Sequence, residues 1–276
     1  YCDPGYTLAA AILRAIEAYR AAHGGRDPEI TLIQNHGPFF AADSTAEAER
    51  QIAAFLDAIA AFHEREARGP FHGETLRAVE EGREALVAAL APALRGMLGR
   101  GGRMPIVRFD DSRTVMPFVA TPKGAQCLKG GPMTPDQIVY CKCKALWIPR
   151  AASAEKAVAK ARAALAAYRK QWNYDPRVIA VEGLGVFAVG DTPRAASTSL
   201  EVYLDALKIM RGAMAAGGVH AMTPRQYGFI DNWEVENYRR QVAAATAGAG
   251  RVAGKVGGDG ERAGEQALAL GDAEDL

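Results

Sequence analysis

Cysteine is scarce in this sequence: Cys2, Cys127, Cys141 and Cys143 are the four in 276 residues. That is too few to staple a chain of this size, so the fold must rest on a hydrophobic core. Cys141 and Cys143 are spaced i,i+2, and on a strand they would share one face. A metal or redox pair would need two more convergent ligands, and none lies nearby in sequence. All four therefore read as structural thiols, in keeping with the reducing cytosol. Charge excess is also missing. Lysine and arginine number 33 against 32 acids, a formal net charge of +1, which offers no electrostatic footprint for nucleic acid or an anionic membrane. Long apolar runs are absent too: the stretch around Leu86–Leu94 is short and is broken by Pro92, so no transmembrane helix is expected. Neither an initiator methionine nor a signal-peptide pattern opens the chain. Tyr1-Cys2-Asp3-Pro4-Gly5 reads like the middle of a domain, and the expectation is that an N-terminal portion is missing.

What is present suffices for a globular core, with 49% hydrophobic and 24% charged residues. Leu8, Ile12, Ile16 and Tyr19 recur at helical spacing, predicting a helix over Thr7–Ala22 with Thr7 as its cap. Ile30–Ile33 and Pro38–Ala41 read as strands around an Asn35-His36-Gly37 turn. Asp43-Ser44-Thr45 caps a further helix carrying Ile52, Phe55, Leu56 and Ile59. Residues 66–73 look like a linker. Helix signals follow from Leu76 to Arg95, then strand signals at Ile106–Phe109, Thr114–Val119 and Ile138–Trp147. A helix at Ser153–Tyr168, strands at Val178–Val181 and Val186–Val189, and a helix at Leu200–Met214 complete the pattern. Residues 243–276 are rich in Ala, Gly and Glu without an aromatic, and are expected to be a disordered tail.

The chain repeats itself at an offset of 148 residues, the separation of Gly37 and Gly185. Without a gap, Asp27-Pro28 falls on Asp175-Pro176, Phe39 on Phe187, Asp43 on Asp191, and Leu56-Asp57-Ala58 on Leu204-Asp205-Ala206. Each copy reads helix, Asp-Pro, strand, glycine turn, strand, cap, helix. The expected division is 1–65 for the first copy and 74–242 for the second. His36 falls on Leu184, and a leucine can neither ligate metal nor move a proton.

The segment Leu32-Ile33-Gln34-Asn35-His36-Gly37, its following strand and Asp43-Ser44-Thr45-Ala46-Glu47-Ala48 resemble the class II aldolase/adducin family. The upstream Asp3-Pro4-Gly5-Tyr6-x-Leu8-Ala9 element adds to the likeness. The resemblance implies a layered α/β/α fold with a central mixed or antiparallel sheet, duplicated here with the first copy incomplete. It also implies that His36 is a zinc (or other divalent metal) ligand, since a rigid turn can aim a neutral imidazole into a cleft. In that family a His-x-His pair and a catalytic acid lie upstream of the turn; no such pair occurs between Tyr1 and His36. One histidine is no catalytic zinc site, so no metal is expected to bind this chain alone. His23, His63, His72 and His220 read as loop or helix-surface residues.

Val181–Gly190, Met210-Arg211-Gly212-Ala213, Thr134–Val139 and Asp231-Asn232-Trp233-Glu234 resemble one subfamily. Its members join an aldolase region, linked to rhamnulose-phosphate cleavage, to a short-chain dehydrogenase. There the metal polarises oxygens of a ketose 1-phosphate and stabilises an enediolate. The expectation is a fragment of such an enzyme, inactive as given. The rival reading is a non-catalytic, adducin-like assembly module, for which association through an unpaired strand edge, including a homo-oligomer, stays open. A stand-alone dehydrogenase is excluded. Gly183-x-Gly185 opens a strand instead of a helix, so no nucleotide is expected there. Val252–Val256 resembles a dehydrogenase lead-in but continues as Gly257-Gly258-Asp259-Gly260-Glu261. Residues 1–65 should be the less stable part, because a lone strand pair with two helices buries little surface.

Overall fold

The computed structural model describes residues 2–65 and 69–232. Helix α1 (Tyr6–Ala22) leads into the hairpin of β1 (Ile30–Ile33) and β2 (Gly37–Phe40), followed by α2 (Thr45–Arg65). Then come α3 (Arg83–Leu98), β3 (Ile106–Asp110), and the short helices α4 (Met116–Ala120), α5 (Pro122–Leu128) and α6 (Pro135–Cys141). The chain continues through β4 (Leu146–Ile148), α7 (Ala154–Trp172), β5 (Val178–Val181), β6 (Gly185–Gly190), α8 (Pro193–Ala215) and α9 (Pro224–Asp231). Among the described residues β1 and β2 form a two-stranded sheet. A second sheet has the order β3-β6-β5-β4, antiparallel except for the parallel β4–β5 pair.

The second sheet is the middle of an α/β/α sandwich, and strand alternation explains why. Ile179, Val181, Phe187 and Val189 point to one side and meet Leu90, Leu94 and Leu98 of α3 and Ala157, Ala161 and Leu165 of α7. Val178, Ala180, Val186 and Ala188 point to the other and meet Leu200, Tyr203, Leu207 and Met210 of α8, with Phe118 and Val119 of α4. A strand covered on both faces needs apolar residues at every position, and β5 and β6 are buried throughout. The layered mixed sheet expected from the sequence is therefore present.

The repeat is reproduced element by element. Ile30 pairs with Phe40 and Ile33 with Gly37; 148 residues on, Val178 pairs with Ala188 and Val181 with Gly185. The same equivalence holds for single bonds. His36 N–H donates to Ile33 O at 3.1 Å and Leu184 N–H to Val181 O at 3.0 Å; Ala41 N–H donates to Glu29 O and Val189 N–H to Arg177 O. Ser44 and Thr192 cap the following helices in the same way, accepting from the backbone N–H of Glu47 and Ala195. Burial is where the copies part. Leu32 and Phe39 are 66% and 51% exposed, whereas their counterparts Ala180 and Phe187 are fully buried.

Several local expectations are corrected. Thr7 does not cap α1, which begins at Tyr6 after Gly5 at φ 98°. The helix expected from Leu76 starts only at Arg83. The segment before it runs along the second hairpin's turn, with Arg77 N–H on Ala120 O and Val79 N–H on Gly183 O. Thr114–Val119 is not a strand, and Pro117 sits in the first turn of α4. Of Ile138–Trp147, the first part is helix α6, because Thr134 accepts from Gln137 N–H as N-cap and Pro135 occupies the first helical position. Burial of Ile138 and Val139 outweighs their strand preference. Cys141 ends α6 and Cys143 lies in the next loop, so they share no strand face and are buried in different clusters. Part of the expected linker and the expected tail lie outside the described residues. Among the described residues no helix is long and apolar enough to cross a membrane.

Candidate functional site

His36 sits on the turn between β1 and β2. Its own N–H closes that turn on Ile33 O, which puts Asn35 at the position where a type II turn requires positive φ. Asn35 has φ 58°, and its counterpart Gly183 has φ 74°. Asparagine tolerates the left-handed region and glycine prefers it, so both sequences fit one turn. The His36 ring stacks on Phe39 with centroids 5.7 Å apart and planes 11° from parallel, and the residue is exposed.

The turn is docked against the second repeat. Asn35 Nδ2 donates to Met133 O and to His220 O, both at 2.9 Å. His36 lies where two cavities meet. One, of about 330 Å³, is lined by Leu8 and Ile12 of α1, Ile33, Met222 and Ile230, with the polar Gln34 and Gln226. The other, of about 660 Å³, brings Thr134, Asp136 and Asp205 to the same histidine. The candidate ligand thus opens into a cleft between the repeats that is largely apolar, with Asp136 and Asp205 on one side.

A catalytic zinc needs three protein ligands with one position open. Among the described residues no three His, Cys, Asp or Glu side chains converge to hold a metal ion. The remaining histidines lie elsewhere. His23 follows α1, with Nδ1 2.8 Å from Tyr19 O and its ring stacked on Tyr19. His63 is on α2 against Gly212, and His72 is in an exposed turn. His220 reaches the site through its backbone carbonyl. The donor set of the described chain does not fit a complete zinc centre.

At the equivalent place in the second repeat the opening is filled. Leu184 is fully buried, Val79 N–H donates to Gly183 O, Gly183 N–H donates to Val119 O, and Arg83 Nη2 donates to Leu184 O at 2.8 Å. A Cβ on Gly183 would come within 2.6 Å of Arg77 O. The turn opens β6, a strand and not a helix.

A half-buried ion pair that sequence reasoning missed joins the end of α6 to α9. Lys142, at φ 68°, places Nζ 2.9 Å from Asp231 Oδ1 and 4.4 Å from the centre of the Tyr174 ring. Burial pushes the neighbouring Cys143 thiol up to about 12 and the Tyr174 hydroxyl higher still. Such a pair ties helices together and offers no nucleophile near neutrality. The short spacing of Cys141, Lys142 and Cys143 was its only sequence signal.

The chain is 23% identical over 284 residues to an uncharacterized oxidoreductase, YuxG, of Bacillus subtilis (strain 168). The alignment covers 91% of this chain and 40% of that protein, so the chain spans well under half of its relative. No solved structure matches it. Residues 85–174 and 172–239, together more than half of the chain, match the family model described as aldolase class II, second domain, and the chain accordingly belongs to the class II aldolase family.

Proposed function

We propose that this chain is part of a metal-dependent class II aldolase that cleaves a ketose 1-phosphate of the rhamnulose-phosphate kind, and that it is inactive by itself. The observation that carries this reading is the Asn-His-Gly turn, exposed and docked at a cleft between the repeats in a chain of aldolase family. In this reading residues 1–65 supply one metal ligand, His36, and residues 74–242 supply a second, plugged copy that serves as scaffold. Ligands beyond those described would have to complete a zinc (or other divalent metal) site. The likeness to an oxidoreductase of which the chain spans 40% supports the bifunctional aldolase/dehydrogenase type, and the free cysteines suit the reducing cytosol.

A second reading has its own observation. Tyr6, Leu13, Leu32, Phe39 and Leu56, all in the first copy, are exposed, and apolar surface of this extent suits an adducin-like assembly module. Calorimetric titration with Zn²⁺ and NMR of His36 in the presence of rhamnulose 1-phosphate separate the two. The aldolase reading expects negligible specific zinc uptake by this chain alone, and zinc-dependent movement of the His36 signals, lost in His36→Ala, once a segment carrying a His-x-His pair is supplied with the sugar phosphate. Silent His36 signals together with self-association in sedimentation would favour the module. Tight stoichiometric zinc binding would show that ligands have been missed.

A further inference from the structure

The turn carrying His36 is held from outside its own hairpin. Asn35 does two separable things. Its backbone takes the left-handed conformation, which Gly183 takes equally well in the other copy. Its side-chain amide uses both hydrogens on carbonyls of two different loops, Met133 ahead of α6 and His220 ahead of α9. Those loops are themselves fixed. Met133 N–H donates to Gln137 Oε1, Thr223 N–H donates to Gln226 Oε1, and Met222 N–H ties one loop to the other through Pro132 O at 2.8 Å.

We infer that Asn35 is the positioning residue of His36: its amide clamps the turn to the α6 and α9 loops and so sets where the imidazole stands over the cleft. A metal ligand must be held to about half an ångström, and a two-point hydrogen bond one residue away does this where an exposed hairpin alone does not. That His36 is a ligand rests on the function proposed above; the clamp does not depend on it.

Hydrogen exchange and NMR on the whole chain test the assignment, with Asn35→Gly, Asn35→Asp and His36→Ala. Asn35→Gly keeps the conformation and removes both donors; Asn35→Asp keeps the side chain but offers no proton to either carbonyl. Both should speed exchange across Leu32–Ala41 roughly tenfold or more, the loss expected for two hydrogen bonds. Val178–Val189 should be unaffected, and the His36 ring signals should lose the displacement caused by Phe39. His36→Ala should leave exchange unchanged. If zinc together with a segment carrying a His-x-His pair never moves the His36 signals in the wild type, the aldolase reading fails while the clamp result stands. Wild-type protection in Asn35→Gly would overturn the inference, since a residue serving the turn alone is replaced by glycine without loss. Protection kept in Asn35→Asp, or lost uniformly in both hairpins, would overturn it as well.

Discussion

Phe39 and Phe187 occupy the same place in the two repeats, opposite Thr31 and Ile179, and truncating each to alanine measures how far the copies differ in packing. Phe187 is fully buried, with Phe109 at 4.8 Å between ring centres. Phe187→Ala therefore loses the transfer free energy and leaves a closed cavity, about 3–5 kcal/mol in all. Phe39 is half exposed. Only part of the roughly 1.5–3 kcal/mol for full burial is at stake there, and water fills the space, so Phe39→Ala should cost ~1 kcal/mol. The difference, at least ~2 kcal/mol, corresponds to roughly a 30-fold change in the unfolding constant. Urea unfolding followed by far-UV circular dichroism and by tryptophan fluorescence, which Trp147 and Trp172 supply from the second repeat, reads it directly. Equal costs at unchanged m-values would refute the reasoning, because the first hairpin would then be as well packed as the second.

Two further outcomes follow from the core. Burial lifts the Cys143 thiol from its ordinary 9.0 to about 12 and raises Cys141 as well, so both should resist Ellman's reagent at pH 8 until urea is added. A raised folded-state value means this contribution to stability is complete below pH 9 and is lost as pH climbs towards 12; stability independent of pH over that window would contradict it. Gly190→Ala should destabilise by about 1–3 kcal/mol, because a Cβ there would meet Ala196 N at 2.2 Å, whereas Gly96→Ala in the open last turn of α3 should stabilise by roughly 0.5 kcal/mol. Thermal melts of the two variants moving in the same direction would count against this packing.

The sheet was legible wherever its strands are buried on both sides, because Val178–Val181 and Val186–Val189 have no other use for unbroken apolar runs. The repeat was legible for the same reason its registers agree: turn, cap and helix residues recur in one order. Thr114–Val119 and Ile138–Tyr140 carry β-branched residues that suggest strands, but the prolines in the first turns of α4 and α6 favour helix. The His36 turn could be placed from Asn35 and Gly37. Its surroundings could not, since Asn35 meets a carbonyl 185 residues away and nothing local marks that reach.

The mixed sheet has a consequence for the order in which it assembles. β5 and β6 close through one tight turn, but β3 must find β6 across the chain from Asp110 to Gly185, and β4 lies parallel to β5, which obliges a crossover through α7. Loop closure makes the distant pairings slow, so the α7-β5-β6-α8 unit is expected to form first, with β3 and β4 zipping onto its edges afterwards. The first copy, with its helix, hairpin and helix, has the shape of that early stage. The first copy thus holds on its own the arrangement from which the second copy's sheet is expected to grow.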